Sequence, residues 1–246
     1  MLGLSRYERY DAYTFGHSIR VCFLALNFAA TLYAREEMLL RIGLAALMHD
    51  IGKARVPYEV LHSTSRLSQE ERVLMNLHTN HGGEILLAAH DVDPLVVASA
   101  FGHHQTLDGG GYPTTSHPVR QSASTCIVKI CDVFEALTAV RPYKPRMSAA
   151  KAFQVMLTMK GHFEPHLLRK FMKFTGIYPT GTILRLSSGE QACVLRQTAD
   201  PLAPIVRIEV DDLGAALQAD PDLVHDLSSR NAAARWSIAG VVDSAA

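Results

Sequence analysis

Between Phe15 and Ala34 the apolar positions return every three to four residues, at Val21, Leu24, Phe28 and Leu32, and His17 falls on the same face. That period predicts a helix with a histidine built into its core stripe. Glu36 to Asp50 repeats the pattern as a second apolar helix, halted by Gly52 and Pro57. Ser68-Gln69-Glu70-Glu71 reads as a capping box, and the helix it opens carries Leu74 and, one turn on, His78. Asp93-Pro94 marks another start, a cap followed by a first-turn proline. Its helix puts Val96, Ala100 and the doublet His103-His104 on neighbouring faces. Gln105 to Pro118 is rich in glycine and proline and predicts a long loop. Beyond it Ile127, Ile130, Phe134 and Leu137 mark a buried helix that includes Asp132.

Past Phe174 the period shortens. Ile183 to Leu186 and Gln191 to Leu195 flank Ser187-Ser188-Gly189-Glu190, the pattern of a hairpin. Ile205 to Val210 alternates Val206, Ile208 and Val210 with Arg207 and Glu209, as a half-buried strand does. The fold class expected is therefore mainly α, a helical bundle over residues 1–178, with a small β-rich C-terminal unit over 179–246. The Ala- and Asp-rich end of the chain carries only weak signals, and no internal repeat is present.

The chain has 246 residues, 48% of them hydrophobic and 7% aromatic, a globular composition long enough for a substantial core. Lys+Arg and Asp+Glu are 24 each, and that balance excludes wholesale wrapping of duplex nucleic acid. The four cysteines form no C-x-x-C pair and are expected as free thiols in a reducing compartment. The longest apolar run, Val21 to Ala34, is broken by Asn27 and Thr31. It falls short of the roughly 20 residues that cross a bilayer. No signal-peptide pattern precedes it, so a cytoplasmic chain without membrane insertion is expected.

Twelve histidines invite chemistry, although any one of them is more often a hydrogen-bonded core residue than a ligand. The argument lies in the set. His17, His49, His78 and His103-His104 each face, or end against, an apolar stripe, and Asp50 and Asp132 share that environment. Burying several imidazoles and two carboxylates costs several kcal/mol unless something satisfies them, and a pair of divalent ions does so at once. The ligand sets recur every 25 to 32 residues or so, as a bundle delivering one set per helix would space them. A carboxylate such as Asp50 can bridge two ions about 3.5–4 Å apart, whereas His49 beside it can bind only one. Lys53, a turn further on, can meet a phosphate oxygen, or it can simply be a solvated helix end.

With these residues assembled, the chain resembles the HD-GYP family, a branch of the HD-domain metal phosphohydrolases similar to bacterial cyclic di-GMP phosphodiesterases. The matching stretches are Tyr13 to Ser18, His49-Asp50-Ile51-Gly52-Lys53, Leu67 to Glu71, His78, His103-His104, Asp108 to Pro113, Asp132 to Thr138 and Arg141-Pro142-Tyr143-Lys144. They cover Tyr13 to Gly176, and Tyr178 to Thr182 resembles the entry to a short tail carried by some members. The resemblance implies one metal held by His17, His49, Asp50 and Asp132, and a second held by Asp50, His78, His103 and His104. It implies iron or manganese as the two ions. Asp50 and Lys53 would be catalytic, with Lys53 on the scissile phosphate. Arg141 and Lys144 would meet the ligand's phosphates, a guanidinium fork and an ammonium suited to an anionic dinucleotide. Gly111 and Tyr112 would border the substrate cleft.

The implied function is hydrolysis of cyclic di-GMP to pGpG and/or GMP by a metal-bridging hydroxide, within bacterial second-messenger signalling. The alternatives are a phosphohydrolase for another cyclic dinucleotide, or a catalytically weak receptor that binds cyclic di-GMP or a partner diguanylate cyclase. A homodimer is a further partner expectation. Three positions depart from the family. Tyr13 stands where some members place a glutamate that helps hold a third metal, so two metals are expected here. Gly102 and Gln105 flank the paired histidines where a glutamate is usual, and Glu135 replaces an aspartate. Glu135-Ala136-Leu137 also spells the signature of a different cyclic di-GMP phosphodiesterase family. That family's barrel needs parallel βα units this sequence lacks. His81, one turn past His78, is a candidate second partner to the ligands, and His62, His90, His117, His162, His166 and His225 lie outside the pattern.

Overall fold

The computed structural model describes residues 12–116, 120–139 and 147–242, with side chains from Thr14 onward. It forms two compact units. One comprises the described residues up to Met147 together with Gln154–Leu168, and the other Ser148–Phe153 together with those from Arg169 onward.

The first unit is helical. Helix α1 (Ala12–Ala30) buries Val21, Ala25, Phe28 and Ala29 with His17 on the same side. It stops short of Ala34 because Thr31 turns its hydroxyl back onto the Phe28 carbonyl, and Leu32 lies beyond the helix. Helix α2 (Glu36–Met48) buries Ile42, Gly43, Ala45 and Ala46 and ends two residues earlier than its hydrophobic pattern suggests. His49 and Asp50 therefore lie in the turn that leads into a 3₁₀ segment, Ile51–Arg55. Short helix α3 (Tyr58–Leu61) follows. Helix α4 (Gln69–Asn76) opens on the expected capping box, Ser68 accepting from the Glu71 amide while the Glu71 carboxylate accepts from Ser68.

His78 does not belong to α4; it begins α5 (His78–Ala88). The break has a local cause, because Nδ1 of His78 takes the Met75 carbonyl and the Thr79 hydroxyl takes that of Asn76. Helix α6 (Pro94–Gly102) is capped by Asp93, which accepts from the Leu95 amide, with proline in the first turn. Helix α7 (Ala123–Thr138), capped by Ser122, is buried without interruption from Ser124 to Asp132. A helix buried all round belongs at the centre of its unit, and α1, α2 and α6 all pack against α7. Helix α1 also packs on α2, α2 on α6, and α5 on both α6 and the 3₁₀ turn. That last approach is so close that a Cβ on Gly52 would lie 1.8 Å from the His78 carbonyl oxygen.

Helices α8 (Ala149–Thr158) and α9 (Pro165–Thr175) span the division between the units. The second unit holds an antiparallel five-stranded sheet in the order β4-β3-β2-β1-β5. Strands β1 (Ile183–Leu186) and β2 (Gln191–Arg196) form the anticipated hairpin, with Gly189 at φ 109° in its turn. Strand β3 (Ile205–Val210) buries Val206 and Ile208, while Arg207 and Glu209 pair with each other at 2.6 Å. Strands β4 (Val224–Asp226) and β5 (Ile238–Val241), with short helix α10 (Arg230–Arg235) between them, arise from the weakly patterned end of the chain. Trp236 closes this core, its indole N–H donating to Glu190 at 3.1 Å. All four cysteines are free; Cys126 and Cys131 are buried, Cys22 and Cys193 half-buried.

Candidate metal centre

Five histidines and two aspartates converge at the helix ends of the first unit. His49 and Asp50 come from the turn after α2, His78 from the start of α5, and His103 and His104 from the end of α6. His17 and Asp132 come from the bodies of α1 and α7. Three imidazoles are oriented by one device. Nδ1 of His49 lies 2.7 Å from the Ala46 carbonyl, that of His78 2.8 Å from Met75, and that of His103 3.0 Å from Ser99. A carbonyl only accepts, so Nδ1 carries the proton and Nε2 presents its lone pair inward. Helix ends supply the spare carbonyls that make this possible.

The inward nitrogens surround Asp50, which is 2% exposed. Its Oδ2 lies 3.3 Å from Nε2 of His49 and 3.7 Å from that of His17. Its Oδ1 lies 3.4 Å from Nε2 of His78 and 3.9 Å from that of His103. The carboxylate thus divides the cluster, one oxygen toward each pair. Asp132 joins the first pair, with Oδ1 3.1 Å from His17 and 3.8 Å from His49. His104 joins the second, since ligand atoms of His78, His103 and His104 all lie within 4.8 Å of one another.

Two observations show that this set fits cations. Nε2 of His49 is buried with no hydrogen-bond partner among the described residues. Nε2 of His78 faces Nε2 of His103 at 3.4 Å, and two inward lone pairs repel unless a positive charge lies between them. The mix of imidazole and carboxylate suits a borderline divalent metal.

The electrostatics divide in the same way. Burial opposes charge on His17 and His49, but the carboxylates outweigh it. Asp132 and Glu135 raise His17 to about 9, and Asp50 raises His49. Burial lowers His78, with Lys53 beside it, and His103, with neighbouring imidazoles beside it, and lowers His104 to about 3. Burial also disfavours ionised Asp50 and Asp132, yet Lys53 and His49 hold the first, and His17 and His49 the second, well below the usual carboxylate range.

Lys53 lies at the cluster, with its ammonium 2.6 Å from Oδ2 of Asp50. Gly111 has φ 76°, and a Cβ there would sit 2.2 Å from the His104 carbonyl. Glycine thus lets the loop close on the histidine doublet, and the Tyr112 ring stacks 4.6 Å from His104. Tyr112, Lys53, His104 and Asp132 line one wall of a cleft of about 350 Å³, with Met75, Val133 and Leu137 as its apolar side. Arg141, Lys144 and His117 lie outside the described residues. The buried Nδ1 of His81 has no hydrogen-bond partner among the described residues.

Glu135, noted in the sequence only as standing in for a family aspartate, has a partner the sequence did not reveal. Glu135 accepts from His17 Nδ1 at 2.5 Å through one oxygen and from Arg20 through the other. Asp132 and Glu135 are three apart on α7, so one helix face grips both nitrogens of the His17 ring. The D-x-x-E spacing was the available signal, although it identifies no partner by itself.

The HD domain family model matches residues 8–167. The chain belongs to the HD domain family. Within it, the ordered motifs from His17 to Asp132 make it a member of the HD-GYP branch. A cyclic di-GMP phosphodiesterase of Pseudomonas aeruginosa is 37% identical over 89% of this chain and 56% of its own length. A 3'3'-cGAMP-specific phosphodiesterase of Vibrio cholerae is 34% identical over 58% of this chain and 33% of its own. The chain therefore spans about half, or less, of these relatives. Among solved structures, the HD domain of the L. monocytogenes phosphodiesterase PgpH in complex with cyclic di-AMP superposes with a TM-score of 0.54 at 22% identity. That match covers 70% of this chain and 92% of that one, and it shows a shared fold. Among the described residues no helix of this HD domain protein is long and apolar enough to cross a membrane.

Proposed function

We propose that this chain is a metal-dependent phosphodiesterase that opens cyclic di-GMP to linear pGpG, with GMP as the further product. The observation that carries the reading is Asp50, whose two oxygens face separate imidazole groups. That is the geometry a carboxylate needs to bridge two ions. His17, His49, Asp50 and Asp132 would hold one ion, and Asp50, His78, His103 and His104 the other, with iron or manganese suited to this N/O set. When bound, the ions would activate a water and offset charge on the phosphoryl oxygens.

The remaining work falls to the chain. Lys53, at the cleft beside Asp50, brings a cation to the scissile phosphate, where charge builds as the ribose oxygen departs in line. Burial and the nearby Asp50 and Asp132 push the Tyr112 hydroxyl well above its ordinary range, so it stays a neutral hydrogen-bond donor. Met75, Val133 and Leu137 shield ribose and base from water. Arg141 and Lys144 would meet the outer phosphates. We assign this chemistry to residues 1–178, leaving 179–246 as an accessory unit, and place it in the cytoplasm, where cyclic dinucleotide messengers act.

Substrate identity rests on the match, over 89% of this chain, to a protein named for cyclic di-GMP. The 34% identity to a cGAMP-specific protein supports a second reading, hydrolysis of a mixed cyclic dinucleotide. The test is product analysis after metal-loaded protein, iron anaerobically and manganese in parallel, meets cyclic di-GMP or 3'3'-cGAMP, with Asp50→Ala alongside. Linear product from wild type alone supports the phosphodiesterase, and the faster substrate selects between the readings. No product from either compound despite two bound metals would overturn it.

A further inference from the structure

Lys129 lies on α7, three residues before Asp132, and is 3% exposed. Its ammonium donates to the backbone carbonyl of Gln105, the residue that follows the histidine doublet. Among the described residues no carboxylate is in ion-pair contact with it. Asp108 and Asp132 favour its charge only from beyond ion-pair distance; burying an ammonium without a close counter-charge is costly, and a Leu or Met would fill the same space more cheaply. The charge therefore has a task other than packing.

The Gln105 carbonyl takes a second donor, the side-chain amide of Gln121 at 2.6 Å. From this doubly held residue the loop closes on itself. The Gln105 side chain donates to the Pro113 carbonyl at 2.9 Å, the Thr106 amide to Gly110 at 2.9 Å, and the Tyr112 amide to the His104 carbonyl at 3.4 Å. The Leu107 amide ties the outer edge to Gly161 at 2.7 Å. Both ends of the Gly-Tyr-Pro loop thus hang from one residue, and that residue hangs from Lys129.

We propose that Lys129 is a positioning residue for the substrate edge of the cleft: through the Gln105 carbonyl it sets the Gly109–Pro113 loop, and with it the Tyr112 ring over His104. The substrate consequence rests on the phosphodiesterase reading above; the positioning does not. The Lys129 ammonium is held at the Gln105 carbonyl and Lys129 is not among the residues that line the cleft, so its effect is on binding geometry rather than on the reacting atoms.

The experiment compares metal-loaded full chains of wild type, Lys129→Met and Gln121→Leu by amide hydrogen exchange, metal content and steady-state kinetics with cyclic di-GMP. A charge-assisted bond lost from the loop's anchor should speed exchange at Thr106, Leu107 and Tyr112 about tenfold or more. KM should rise about tenfold with kcat held within about twofold, and two metals should remain bound. Gln121→Leu should move exchange and KM in the same direction by a few-fold, and it decides the matter if Lys129→Met does not fold. Unchanged exchange across residues 106–112 in a folded variant overturns the proposal, as does a fall in kcat with KM unmoved. If wild type cuts no cyclic dinucleotide, the phosphodiesterase reading fails while the exchange comparison still judges the strap.

Discussion

Replacing Glu135 by glutamine changes one atom beside the histidine and aspartate cluster, and its effect can be worked from the contacts. The carboxylate serves two donors, Nδ1 of His17 and Nε of Arg20, one on each oxygen. An amide has a single acceptor oxygen, so Glu135→Gln keeps one of these bonds and turns an N–H₂ toward the other donor. Arg20 is half-exposed and can pair with water, which makes its share small. The share at His17 is larger, because both partners are buried and the bond fixes the ring and increases the basicity of Nε2. Losing such a carboxylate costs a metal site about 10- to 100-fold in affinity, or about 1.4–2.8 kcal/mol. Calorimetric titration of metal-free protein with manganese should therefore show one of two sites weakened by that factor and the other unchanged. Glu135→Asp, with a shorter reach and the charge kept, should fall between. Two unchanged affinities in a folded Glu135→Gln protein would refute the assignment of Glu135 as the group that orients His17.

Gly52→Ala should be strongly destabilising, by about 3 kcal/mol or more, because its Cβ would meet backbone atoms of His78 and Gly82 that cannot move aside without parting α5 from the 3₁₀ turn. A urea midpoint equal to that of wild type would count against the close approach. Burial lowers Lys129 from an ordinary 10.5 to about 8. Between those values the unfolded chain binds more protons than the folded one, so wild-type stability should rise with pH across that window relative to Lys129→Met and stay level below it. Paired denaturation curves at about pH 7.5 and pH 10 test this, and a wild type that loses stability relative to Lys129→Met as pH rises would contradict it.

Much of the clustering was legible in the order of residues because histidines set on apolar stripes leave a trace that helical periodicity exposes. His17 sits on the same stripe as Val21 and Phe28, so the period that predicts the helix also predicts its burial. Capping signals at Ser68 and Asp93 rest on bonds within four residues, and both formed as expected. Elements that depend on distant partners were less legible. The break between α4 and α5 needs His78 to spend a ring nitrogen on Met75 while its other nitrogen faces the cluster. Strands β4 and β5 are short, weakly alternating segments whose reason to be strands is the free edges of β3 and β1.

The chemical inventory, its helical spacing and the change from helices to strands along the chain were thus set by local sequence, since propensity, period and caps act over a few residues. Tertiary structure alone decided which oxygen of Asp50 faces which histidine pair, that Glu135 and Arg20 stand behind His17, and that Lys129 holds the loop at Gln105. The long-range ones among them join residues separated by 24 to 118 positions. Such pairings depend on how packed helices bring their faces together, and no local pattern encodes that.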